Sequence, residues 1–136
     1  MTHSIPAIAR LVPDDERLDF LPKHFGPCLM LSGELTVYGW LDQLADAYQG
    51  GYWHYYEIPD GFYLAPAGYE TLRIVWPLNG CDRTMSADAA GIVATLYALC
   101  ELCQQPQGSA LVDKYHALRD FACMQAEAAA IFAAID

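Results

Sequence analysis

Cys100-Glu-Leu-Cys103 is the spacing that most readily suggests chemistry, because a C-x-x-C pair can exchange electrons or share in a metal site. Its position argues against both uses. The pair falls late in an expected helix, away from the N-terminal end whose dipole would lower a thiol pKa. Cys28, Cys81 and Cys123 are scattered and form no second pair. Cys100 and Cys103 are therefore read as small hydrophobes on a buried helix face. His3, His24, His54 and His116 show neither H-x-x-x-H nor H-E-x-x-H spacing. His54 has the side chain of a general base, but a half-buried strand histidine is the simpler account. G-x-S-x-G, Walker A and G-x-G-x-x-G are all absent. The sequence supplies no catalytic residue, no metal set and no cofactor signature.

The elements around these residues read as α+β. Asp14, Asp15 and Glu16 suit the positive end of a short helix carrying Leu18, Phe20 and Leu21, with Pro22 limiting it. Residues 1–13, punctuated by Pro6 and Pro13, are expected to be extended or loosely attached. Ser32 is a candidate N-cap for a helix over 33–48, whose apolar face recurs through Leu35, Tyr38, Leu41, Leu44 and Tyr48. Asp42 and Asp46, four apart, share its other side. Residues 52–58, 62–65, 70–76 and 81–85 are aromatic and β-branched runs separated by Pro59-Asp60-Gly61 and Asn79-Gly80. They predict an antiparallel meander of three to four strands. Ser86 should cap a helix over 87–104 that is apolar almost all round and so central. Further helices are expected over 109–122 and 126–135. The whole chain, 1–136, is one compact domain with about four to five helices.

A three-residue loop at Pro59-Asp60-Gly61 would set Ile58 against Phe62 and Tyr56 against Leu64 on an inward face with His54. Trp53, Tyr55, Glu57 and Tyr63 would then face outward. The same logic at Asn79-Gly80 puts Leu72, Ile74, Trp76 and Met85 inward and Arg73, Val75 and Thr84 outward. An outward set of Trp53, Tyr55, Tyr63, Glu57 and Arg73 has the composition of an interface hot spot. The competing reading is that helices cover both faces and the aromatics are core.

Composition narrows the partners. In 136 residues, 7 Lys+Arg stand against 17 Asp+Glu, a net charge of −10. No cation occurs between His24 and Arg73, where Glu34, Asp42, Asp46, Glu57, Asp60 and Glu70 fall. Direct binding to nucleic acid or to an anionic membrane is not expected, since both need clustered cations. The longest apolar stretch, 89–100, is too short for the roughly 20 residues of a bilayer span. The N-terminus has no signal-peptide pattern. Five cysteines without a dense framework fit a reducing bacterial cytoplasm.

Several ordered segments resemble the KlcA/ArdB antirestriction family. They are Gly50-Gly-Tyr-Trp-His-Tyr-Tyr-Glu57 with Gly61-Phe-Tyr-Leu-Ala-Pro66, then Arg17-Leu-Asp-Phe-Leu-Pro-Lys-His-Phe-Gly26, Met85-Ser-Ala-Asp-Ala-Ala-Gly-Ile-Val-Ala-Thr95 and Ala128-Ala-Ala-Ile-Phe-Ala-Ala-Ile-Asp136. The turn Ile58-Pro-Asp-Gly61 departs from the family by one residue. The resemblance implies a non-catalytic α+β inhibitor, borne on plasmids or other mobile elements. Its partner would be the host type I restriction enzyme or an associated host factor. A regulatory or binding module acting on another host factor is the alternative, and a small hydrolase or redox protein using His54 or Cys100/Cys103 the third.

Full DNA mimicry does not follow from the acidity. Duplex DNA carries one charge per about 1.7 Å, so a ~35 Å domain would need about 20 charges in ordered rows. The contact is instead expected through Trp53, Tyr55, Glu57, Tyr63 and Arg73, with Asp42 and Asp46 steering a basic partner. Asp136 adds a second negative charge beside the terminal carboxylate, against the helix dipole, and is a further candidate contact.

Overall fold

Ser86 ends a strand in extended backbone, and its hydroxyl accepts from the Ala89 N–H, so the central helix starts where the sequence places it. In the computed structural model, which describes residues 8–136, this helix α3 (Ala87–Leu102) is buried on nearly every side. Around it lie α1 (Arg17–Phe25), α2 (Met30–Leu44), α4 (Leu111–Cys123) and α5 (Ala128–Ile135). The strands are β1 (Arg10–Leu11), β2 (Trp53–Ile58), β3 (Gly61–Pro66), β4 (Thr71–Trp76) and β5 (Cys81–Ser86). The α+β class and the five helices agree with the sequence. The strands divide into two sheets, β1-β2-β3 and β4-β5, both antiparallel. Of the segment expected to be loose, residues 1–7 lie outside the described residues, while Arg10–Leu11 adds a short strand to β2.

The β2–β3 hairpin differs from the three-residue loop by one residue. Ile58 pairs with Gly61, Tyr56 with Tyr63 and Tyr55 with Leu64. The positive φ of 61° sits on Asp60, which tolerates that conformation better than most residues. Gly61 instead serves close approach, because a Cβ there would stand 3.1 Å from the Ala117 side chain. The one-residue difference moves Tyr63 to the face of Tyr56, opposite to Trp53 and Tyr55.

Helices cover both faces of this sheet. Phe20 of α1 stacks on Tyr55 at 4.5 Å, and Phe25 meets Phe62 edge-on. On the other side Tyr63 stacks on Tyr56 and lies near Phe121 of α4. All six residues of β3 are buried. The free edge of β3 is sealed by α3. Gly91 has no room for a Cβ, which would fall 2.3 Å from the Leu64 carbonyl oxygen. One turn on, the Thr95 hydroxyl accepts from the Leu64 N–H at 3.2 Å. A strand edge that would otherwise be open is thus paired internally.

Three local expectations give way. Helix α2 begins at Met30, so Ser32 lies within its first turn instead of capping it, and it ends at Leu44. Asp46 therefore lies in the turn beyond the helix and does not share a helical face with Asp42. Pro22 sits inside α1, which continues to Phe25. At the second hairpin, Pro77–Asn79 forms a single 3-10 turn with only Gly80 left-handed, so the type I′ geometry, with positive φ at two residues, does not occur.

Candidate contact surface around β2

Trp53 and Tyr55 alternate onto one face of β2, where α1 and α2 meet them. Trp53 is 2% exposed and Tyr55 6%, and Tyr63 on the opposite face is 2%. The aromatic docking face expected at these three residues is therefore core. Each polar end is satisfied inside the fold. The Trp53 indole donates to the Tyr48 hydroxyl at 2.8 Å, the Tyr55 hydroxyl donates to Glu34, and the Tyr63 hydroxyl donates to Asp88 at 2.8 Å. Burial and then the Glu34 carboxylate push the Tyr55 phenol up to about 12, and the same two causes raise Tyr38.

What this face shows to solvent is a cation held between rings. The Arg17 guanidinium lies 4.0 Å from the Tyr55 ring centroid and 4.5 Å from that of Tyr52, and it donates to the Trp53 carbonyl at 3.0 Å. Tyr52 is 53% exposed and Leu18, beside Arg17 in sequence, 92%. Arg17 and Tyr52 were not singled out by sequence reasoning. The available signal was the placement of Arg10, Arg17 and Lys23 immediately before the cation-free stretch that contains β2.

Glu57, at the turn end of β2, gathers the other two of these cations. Its carboxylate accepts from Arg10 at 2.9 Å, from Lys23 at 2.8 Å and from His24 Nε2 at 2.7 Å. Lys23 first, then His24, hold the carboxyl down at about 2 against the opposing effect of burial. An ionised Glu57 fixes the proton of neutral His24 on Nε2. The other ring nitrogen, Nδ1, is buried without a partner among the described residues. Burial, assisted by Lys114 and Lys23, lowers the His24 pKa, and the Glu57 bond opposes it. Both lysines of the chain, Lys23 and Lys114, line one cleft with His24, but Glu57 and Asp60 line it too and balance their charge.

The remaining expected residues stand apart. Arg73 forms a two-pronged ion pair with Asp82 across β4 and β5, at 2.8 and 2.6 Å. Asp42 and Asp46 are exposed. Asp136 is neutralised by Arg119 of α4 at 3.3 Å, which offsets the unfavourable charge at the end of α5. Cys100 is exposed and Cys103 half-buried, so the pair does not share a buried face. His54 is half-buried between Tyr52 and Tyr56. Among the described residues no group of three or more His, Cys, Asp or Glu converges as a metal set. Among the described residues no helix is long and apolar enough to cross a membrane.

Known proteins resemble this chain along most of its length. A family model described as antirestriction protein matches residues 46–136. Antirestriction protein KlcA of Escherichia coli is 53% identical over 99% of both chains. The uncharacterized protein YafX of Escherichia coli K12 is 37% identical, over 92% of this chain and 85% of its own. A solved structure, described as showing that the KlcA and ArdB proteins have a novel fold and antirestriction activity against type I DNA restriction systems in vivo but not in vitro, matches with a TM-score of 0.84. The two are 50% identical, over 100% of this chain and 99% of that one.

Proposed function

Because the chain belongs to the KlcA/ArdB antirestriction family, we propose that it protects incoming mobile-element or phage DNA from the type I restriction-modification system of a bacterial host. The observation that carries this reading is the near-complete match in sequence and fold to KlcA, a relative with that activity in vivo. The inhibitor is non-catalytic, uses no cofactor and acts in the cytoplasm by protein contact. Its partner is the restriction enzyme or a host factor associated with it.

The distribution of charge favours contact over mimicry of DNA. Glu16, Glu57, Asp82 and Asp136 are ion-paired within the chain, and Glu34, Asp88 and Glu127 accept internal hydrogen bonds. The remaining acids fall short of the ordered rows that a duplex presents. The contact surface we assign is the exposed rim of β2, Tyr52 with Arg17 and Leu18, with Glu57 holding its basic neighbours in place. Asp42 and Asp46, both exposed, are retained as peripheral charges that steer association, while Arg73 and Asp136 enter the contact only as ion pairs with Asp82 and Arg119.

Phage plating on cells carrying a type I restriction system, with a type II system as control, tests the function. Relief confined to type I is the expected result. Relief of neither, with folded protein present in the cells, overturns it. A Tyr52→Ala variant that folds normally yet loses relief would support the assigned surface, and full relief would move the contact elsewhere.

A further inference from the structure

Glu70 and Ser86 together fix which way the backbone of β4 faces. The Ala87 N–H donates to the Glu70 carbonyl at 3.1 Å, so residues 70 and 87 form a hydrogen-bonded pair of the ladder. The Ser86 N–H turns away from β4 and donates to Glu127 at 2.9 Å. Alternation then directs the N–H and C=O of Leu72, Ile74 and Trp76 to β5, and those of Thr71, Arg73 and Val75 to the open side. Among the described residues these three outward backbone units have no partner. Unpaired backbone groups persist only where solvent reaches them.

The other edges are sealed, short or partly engaged. The edge of β3 is sealed by Gly91 and Thr95, and β1 has only two residues. At β5, Glu127 takes the Ser86 amide. A six-residue strand with one row of free donors and acceptors is the template for β-strand addition.

We propose that the open edge of β4 accepts an extended basic segment of a partner protein as a third strand of the β4–β5 sheet. The charges select that occupant. Asp82 already neutralises Arg73, and Asp46 adds its field at Arg73, so the outer face of the edge carries surplus negative charge. Cations at alternate positions of the incoming strand meet these acids, while the intervening apolar residues extend the face of Leu72 and Ile74. A second copy of the chain is the poorer occupant. Pairing two β4 edges about their centres sets Arg73 beside Arg73, and each copy carries a net charge of −10. The inference concerns how a partner is held. Its test contains no restriction enzyme, so its failure leaves the antirestriction reading standing.

The test titrates the isotope-labelled full chain with a capped peptide of alternating lysine and valine, followed by amide NMR. The resonances of Thr71, Arg73 and Val75 should shift and their hydrogen exchange should slow, with smaller changes at Leu72, Ile74 and Trp76. A glutamate–valine peptide should bind about two- to fivefold more weakly, the scale of exposed charge pairs. The lysine peptide N-methylated along one edge should not bind. Arg73→Pro removes an outward N–H without touching the β4–β5 ladder, and should abolish the shifts while the ladder amides stay in place. No shift at β4, or equal binding of the methylated peptide, overturns the proposal.

Discussion

The imidazole of His24 stands 2.7 Å from the carboxylate of Glu57, 33 residues later in the chain, and ties α1 to the end of β2. Both groups make folding sensitive to acid. Burial lowers the His24 pKa in the fold, so the unfolded chain takes up its proton first and stability falls as pH drops below about 6.5. Glu57 is held at about 2, so its stabilisation is complete above 4.5 and lost as pH falls from there toward 2. Urea unfolding across pH should show both losses. His24→Gln should flatten the first and Glu57→Gln the second. A Glu57→Gln variant with the wild-type slope between these limits would contradict the assignment.

Trp53 and Tyr52 are adjacent in sequence but belong to different problems. Trp53→Ala empties a buried site and should cost about 3–5 kcal/mol in thermal or chemical unfolding. Tyr52→Ala removes an exposed ring stacked on Arg17 and should cost no more than about 1 kcal/mol. Loss of antirestriction in the first variant therefore reports folding, and loss in the second reports contact. Equal stabilities for the two variants would refute the buried placement of the indole.

Gly91 and Thr95 can be tested as the seal on β3. Gly91→Ala forces a methyl against backbone of Leu64 and Ala65, which cannot swing aside as a side chain would. Its cost should reach about 1–3 kcal/mol or more. Thr95→Val keeps the shape but strands the Leu64 N–H, at about 1–3 kcal/mol. Amide exchange at Leu64 should accelerate in the valine variant, and an unchanged rate would show that the hydroxyl is not its partner.

The helices were legible where local chemistry decides them. Ser86 announces α3 through its own hydroxyl, and the apolar composition of 89–100 places that helix at the centre. The hairpin register was not legible. A Pro-Asp-Gly turn offers its positive φ to either of the last two residues, and the sequence favours glycine. In the fold Asp60 takes it, because Gly61 is needed beneath Ala117 of α4, a contact 56 positions away. With β3 buried on both faces, no polar–apolar alternation remains to correct the register. The site suffered from the same cause. Trp53, Tyr55 and Tyr63 have interface chemistry, but their hydroxyl and indole groups meet Glu34, Tyr48 and Asp88, and single-sequence patterns do not reveal such long-range partners. Glu57 was singled out by its type, while the cations that surround it come from the segment before the cation-free run.

The position of α3 has a consequence for cooperativity. This helix packs against α2 and β3, against β4 and β5, and against α4 and α5, so neither sheet has a core of its own. A polypeptide ending before residue 86 would leave the aromatic hairpin without the surface that seals its edge and buries one of its faces. The two sheets are separate in hydrogen bonding but joined in stability, because each depends on the same sixteen-residue helix.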